Sequence, residues 1–225
     1  MKFSPKTVEV LKNFSTINPG LLFKKGKVLS TMSPQKNVLC EAVVDDDFPQ
    51  DFGIHDLNNF LSILSLDKEP EVVFVDDKNA HIKFGSRKST LKFRFAEPSM
   101  IISPPDKKIT LPSVDVAFDL TEDDLAWIRK TAAILGSPHV AVTGDGENVS
   151  IVCFDGVDDS APTNSVDIGL KSDKRFKLIF KTENLKMIPG AYHFDISSKG
   201  IAHLTNSKDN IQYWIATEAG STYEA

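Results

Sequence analysis

The chain has 225 residues, a hydrophobic fraction of 41%, a charged fraction of 25% and a formal net charge of −5. That length suits one large domain or two of ordinary size, with enough apolar residues to bury a core. The acidic balance argues against a protein that coats nucleic acid with its whole surface, although a basic face can hide inside a negative sum. No apolar run approaches the ~20 residues of a membrane helix, and MKFSPKTVEVLKNF lacks the apolar stretch of a signal peptide.

In chain order, Ser4 is an N-cap and Pro5 a first helical residue, and Val8, Leu11 and Phe14 recur at helical spacing. This predicts a helix over 4–14, broken by Asn18-Pro19-Gly20. Strands are expected at 21–24, 27–33 and 37–44. Asp45-Asp46-Asp47 reads as a solvated turn, because no further oxygen ligands follow at the spacing a metal loop needs. HDLNNFLSILSL (55–66) predicts a short helix with Asp56 as cap, and EVVFVD, AHIKFG and STLKFRF predict three strands ending near Phe95. Residues 97–114, EPSMIISPPDKKITLPSV, carry Pro98, Pro104, Pro105 and Pro112. Proline removes ladder donors and stiffens an extended chain, so this stretch reads as a connector, with Met100, Ile101 and Ile102 as an apolar stripe.

The same order then recurs. VDVAFDL leads to Thr121, a cap, and to Glu122, Asp123 and Asp124 in a first helical turn where the dipole favours acids. Leu125, Ile128, Ala132 and Leu135 form the apolar face of that helix, and Gly136 ends it. Strands at 138–143, 147–154, 164–170 and 175–180 follow. A short helix is expected at 182–188 before Pro189-Gly190, and AYHFDIS, GIAHLTN and NIQYWIAT supply the last strands. Two copies of one grammar, about half a chain apart, predict an α+β fold of two duplicated domains. Their bounds are 1–97 and 114–225, joined by a connector at 98–113.

No catalytic constellation is present. There is no GxSxG, HExxH or phosphate-cradling glycine loop, and the five histidines are scattered. His55-Asp56 reads as a helix opening, GDGEN (144–148) as a hairpin turn and DGVDDSAPTNS (155–165) as a loop. Cys40 and Cys153 lie in strand-like runs and are expected as buried, reduced thiols. No enzyme activity, metal site or cofactor is expected. Basic residues instead gather on or beside the helices: Lys2, Lys6 and Lys12, then Arg129 and Lys130, then Lys186. They are either ordinary solvated lysines and arginines or a shared face for phosphates.

LKNFSTINPG (11–20), DLNNFLSILSL (56–66), VDDSAPT (157–163) and LKMIPGAY (185–192) occur in order along the chain. With the length, the duplication and the central connector, they resemble the sliding clamps of T-even-type bacteriophages, the DNA polymerase processivity factors. The resemblance runs over essentially the whole chain. It implies DNA-clamp domains with antiparallel sheets outside and helices inside, three subunits assembling head to tail into a ring around double-stranded DNA. By that resemblance Lys2, Lys6, Lys12, Arg129, Lys130 and Lys186 would face the DNA without reading its sequence. The helix at 56–66, with no cation before Lys68, departs from a uniformly basic lining. A partner-peptide pocket for the C-terminal peptide of the replicative polymerase would combine Met32, Ile101, Ile102, Ile201, Trp214 and Ile215. Edge strands 89–95 and 165–171 would join subunits. A clamp loader, a sigma-like late transcription factor and the cytoplasm of an infected bacterial host, with no membrane association, are the further expectations. A monomeric tandem-repeat scaffold that binds peptides and never encircles DNA is the alternative.

Overall fold

The Ser4 hydroxyl accepts the Thr7 amide at 3.2 Å, and the Asp46 carboxylate accepts the Ser4 amide at 2.8 Å. Two amide donors at a helix start are thereby paired, and helix α1 runs Pro5–Ile17. Its buried stripe is Thr7, Val10, Leu11, Phe14 and Ile17, so the face is turned slightly from the predicted one and Val8 is only half-buried. The computed structural model describes residues 1–107, 109–206 and 208–224. The chain forms two units, Met1–Lys107 with Asp209–Ile211, and Lys108–Lys208 with Gln212–Ala225.

In the first unit α1 is followed by β1 (Leu21–Phe23), β2 (Gly26–Met32), β3 (Val38–Phe48), β4 (Phe52–Ile54) and α2 (Leu57–Leu64). Strands β5 (Glu71–Phe74), β6 (Asn79–Phe84) and β7 (Ser89–Arg94) complete it. β1 pairs with β4, β2 with β3, and β5-β6-β7 form an antiparallel trio with β7 at its end. Asp45-Asp46-Asp47 is not a turn. It continues β3, because the two-residue alternation persists through it: Ala42, Val44 and Phe48 are buried, Asp45 and Asp47 exposed. Asp46 falls on the inward side and is spent on the start of α1.

β4 is absent from the predicted elements. Its Phe52 is 2% exposed and stacks on Phe23 at 4.3 Å between centroids. Phe48, Phe74 and Phe95 surround it at 6.0, 5.2 and 4.7 Å. Rings at these separations gain beyond the area they bury. Gly53 beside it has no room for a side chain, since a Cβ would lie 2.7 Å from the Ala96 carbonyl oxygen. That close approach lets the chain leave β7 and pair Ala96 with Gly53.

In the second unit β8 (Val116–Leu120) leads into α3 (Glu122–Leu135). The Thr121 hydroxyl accepts the Asp124 amide at 3.1 Å, and Gly136 at φ 63° ends the helix. Strands β9 (His139–Asp145), β10 (Asn148–Phe154), β11 (Asn164–Lys171), β12 (Arg175–Lys181), β13 (Tyr192–Ser197), β14 (Ile201–Asn206), β15 (Ile211–Ala216) and β16 (Thr222–Tyr223) follow. One sheet has the order β11-β10-β9-β12-β16, with β11 at its edge, and β15-β14-β13-β8 run side by side in the other. The predicted helix at 182–188 is only a 3₁₀ turn at Thr182–Asn184. Leu185, Met187 and Ile188 are all buried, a spacing that serves an irregular segment pressed inward, and Pro189 allows no further turns. Cys40 and Cys153 are free and buried, and burial pushes the Cys153 thiol up from its ordinary value.

Phe52→Ala should cost about 3–5 kcal/mol of stability, read from urea unfolding, because it empties the centre of the ring cluster. A second expectation concerns pH. His193 on β13 lies between Asp119 of β8 at 2.8 Å and Asp195 at 3.2 Å. Its pKa is raised above 6.5, first by the hydrogen bond to Asp119. A raised folded value gives stability that is fully present below the unfolded pKa and is lost as pH rises through the folded one. The stability difference between the native chain and Asp119→Asn should therefore be largest below 6.5 and shrink on the alkaline side, in paired denaturation curves across pH.

Candidate functional site

α1 packs on β3 and α2, and α3 on β10 and β11, so each unit presents one outward helical face. On a helix turning 100° per residue, Lys12 and Lys130 fall at the poles opposite the buried stripes of α1 and α3. Both are exposed. Lys12 lines an open groove of about 580 Å³ between α1 and α2 with Val8, Glu9, Leu61, Asp67 and Lys68. Lys68 is the cation that the reading of the helices passed over, because it lies after α2 rather than on it. Asp67 remains an anion, held down at about 2 by the hydroxyl and amide of Ser86. Two cations and two anions therefore share this groove, and its charge is balanced rather than strongly basic.

The other expected phosphate-facing residues differ in their freedom. Lys2 donates to Glu69 at 2.5 Å, and this bond raises its pKa, so its charge is already matched. Lys6 is half-buried. Arg129 is half-buried and donates to the Met187 carbonyl at 2.9 Å, holding the irregular segment that replaces a second helix. With Lys130, Pro189 and Gly190 it lines a groove of about 420 Å³. Lys186 is half-buried on that segment and does not sit on a helix.

The expected peptide pocket divides in the same way. In the first unit Asn18, 4% exposed, ends α1 and donates from its amide to the Met32 and Ile102 carbonyls, both at 2.9 Å. Its own Oδ1 accepts the Gly20 amide at 3.0 Å. Asn18-Pro19-Gly20 thus does more than stop a helix, since it ties the end of β2 to the connector. Ile101 is buried there, its Cδ1 lying 3.3 Å from where a Gly20 Cβ would be, while Ile102 is 45% and Met100 69% exposed. Met32 is half-buried.

In the second unit Ile201 is half-buried on β14, and Trp214 stacks flat on His203 at 4.7 Å. Ile215 is fully buried. Successive strand residues point to opposite faces, so Ile215 lies in the core and cannot share an outer pocket with Trp214. Among the described residues no group of His, Cys, Asp and Glu is arranged to hold a metal ion. No helix of the described residues is long and apolar enough to cross a membrane.

Two units of like order, each with antiparallel sheet under a long helix, define the duplicated fold of the DNA clamps. Among solved structures, A. fulgidus PCNA bound to the C-terminal region of FEN-1 matches with a TM-score of 0.65 over 96% of each chain at 15% identity. The family described as DNA polymerase processivity factor matches residues 2–103, and that described as gp45 sliding clamp, C terminal, matches 117–219. The sliding clamp of Enterobacteria phage T4 is 32% identical over the full length of both chains, and that of Escherichia phage RB69 31% over the full length of both. The chain belongs to the sliding clamps, the processivity factors of DNA polymerase.

Asn18→Ala leaves two carbonyls without their shared donor. It should lower stability by about 1–3 kcal/mol and speed amide hydrogen exchange in the connector beyond any change in α3, as seen by exchange mass spectrometry.

Proposed function

We propose that three copies of this clamp close head to tail into a ring around duplex DNA and tether the replicative polymerase, with no chemical step of their own. The observation that supports this best is a pair of bare edges, one on each unit: β7 ends one sheet and β11 another. A strand at a sheet edge offers unpaired amides and carbonyls to another chain. A closed ring stays on DNA by topology, so its phosphate contacts can be weak and indifferent to sequence, and tight ones would stop it sliding. The exposed Lys12, Lys68 and Lys130, beside balancing acids, suit that requirement better than a dense basic stripe.

The C-terminal peptide of the polymerase would dock on the connector side, against Met32 and Ile102, and on the outer strands against Ile201 and the Trp214–His203 stack. Exposed apolar groups around a connector make such anchors. A clamp loader would open the ring, a sigma-like factor would couple it to late transcription, and the work would take place in the cytoplasm of the infected bacterium.

Sedimentation velocity should show a species about three times the 24.8 kDa chain, in exchange with monomer. Lys12→Glu with Lys130→Glu should cut the length of DNA copied per binding event several-fold while sedimentation and thermal unfolding stay as in the native protein. A fully processive polymerase on that variant would show that these lysines do not face DNA. Arg129→Glu should differ from both by also lowering thermal stability, since it abandons the Met187 carbonyl.

A further inference from the structure

The two bare edges carry opposite charge. Residues 85–94, the turn before β7 and the strand itself, hold Arg87, Lys88, Lys92 and Arg94 and no acid. Among the described residues none of these four makes an ion pair. Residues 155–167, the loop before β11 and its first half, hold Asp155, Asp158, Asp159 and Asp167 and no lysine or arginine. Asp158 is held ionised by the hydroxyl and amide of Ser160. Lys171, the one cation on β11, donates to Asn148 and lies beyond Gly169, whose φ of 71° interrupts the strand.

The two edges also match in pattern. On β7, Leu91 and Phe93 are half-buried and Thr90, Lys92 and Arg94 exposed. On β11, Val166 and Ile168 are half-buried and Ser165 and Asp167 exposed. An antiparallel pairing that keeps the apolar faces together can therefore set Lys92 opposite Asp167, with Leu91 beside Ile168 and Phe93 beside Val166. Arg94 then points along the strand toward the loop that carries Asp158 and Asp159. Pairing β7 with β7, or β11 with β11, would instead oppose like charges, which destabilises cross-strand neighbours.

Beside β11, α3 leaves Trp127 57% and Ile134 74% exposed. They are seven residues apart, on the flank away from Arg129, and form a stripe on a helix that packs over β10 and β11. A bare tryptophan and isoleucine next to an open strand edge mark a surface that another chain covers.

We propose that the occupant of the β11 edge and the Trp127–Ile134 stripe is the β7 edge of a second copy of this chain. The opposition of Lys92 and Arg94 to Asp167, Asp158 and Asp159 then sets the head-to-tail direction and makes the seam salt-sensitive. This rests on the ring reading and adds what orders the copies.

The test is sedimentation velocity of the full chain between about 50 mM and about 500 mM salt, a range over which screening shortens several-fold. Trp127 emission is followed in parallel. Native association should weaken as salt rises, and Trp127 emission should shift to the blue on assembly, with the shift absent in Trp127→Phe while buried Trp214 stays constant. Lys92→Glu alone and Asp167→Lys alone should each weaken assembly about tenfold or more, because every seam of the ring loses its pair. The two combined in one chain should recover most of it. Asp167 also accepts the Gly169 amide at 2.8 Å, so Asp159→Lys with Lys92→Glu gives the same rescue test without touching the strand. Single reversals that assemble like the native chain would overturn the charge-ordering proposal and leave the ring reading standing. A native chain that stays monomeric at all concentrations, with loader and DNA as well as without, would overturn both.

Discussion

A β-sheet that does not close on itself ends in a strand whose outer amides and carbonyls have no partner, and every solution to that problem shapes the surface around it. Here each unit has one such end that is neither short nor shielded by proline. β7 is six residues long and β11 eight, and both keep apolar residues half-covered on the inner side. The helices beside them are spaced accordingly: α3 covers β10 and the near side of β11 but leaves its outer flank bare. The sheet edges, the uncovered side chains and the charges around them are consequences of one condition, that the sheet is continued by another chain.

The two units meet the same architectural demand with different cores. The first fills its centre with phenylalanine, five rings within contact of one another around Phe52, and a real second helix packs on α1. The second uses smaller residues, Ala132, Ala141 and Val142 among them, and has an irregular segment where that helix would be. Arg129 compensates by reaching across to the Met187 carbonyl, a structural use of a charge that would otherwise be free for phosphate. Duplication therefore preserved the order of elements but not the role of each residue. The charges follow the same logic. Those at the poles of α1 and α3 are free or balanced, those at the ends of segments are committed to neighbours, and the strongest local imbalance lies at the sheet edges.

How much of this can be read from residues alone depends on how local the cause is. The caps Ser4, Asp56 and Thr121, the stop at Gly136 and the period of each long helix are set by neighbours within a few positions, and they appear where the sequence places them. β4 escapes because three residues carry no period, and Phe52 declares itself only once four distant rings close around it. Asp45-Asp46-Asp47 misleads because charge outweighs alternation when the pairing partner is unseen.

The peptide-pocket residues show the same boundary. Nothing in IQYWIAT tells that Trp214 and Ile215 face opposite ways until the strand is known to be regular there, and nothing in Asn18 tells that it holds Ile102. By itself the sequence determined the class of fold, the two-fold repetition, the family and the existence of basic positions on the helices, because these depend on local spacing and on likeness along the whole chain. Tertiary structure alone decided which of those charges are free, which apolar residues are core and which edges lie open. Burial and pairing are properties of residues far apart in sequence, and a side chain's role is set by what the fold brings against it.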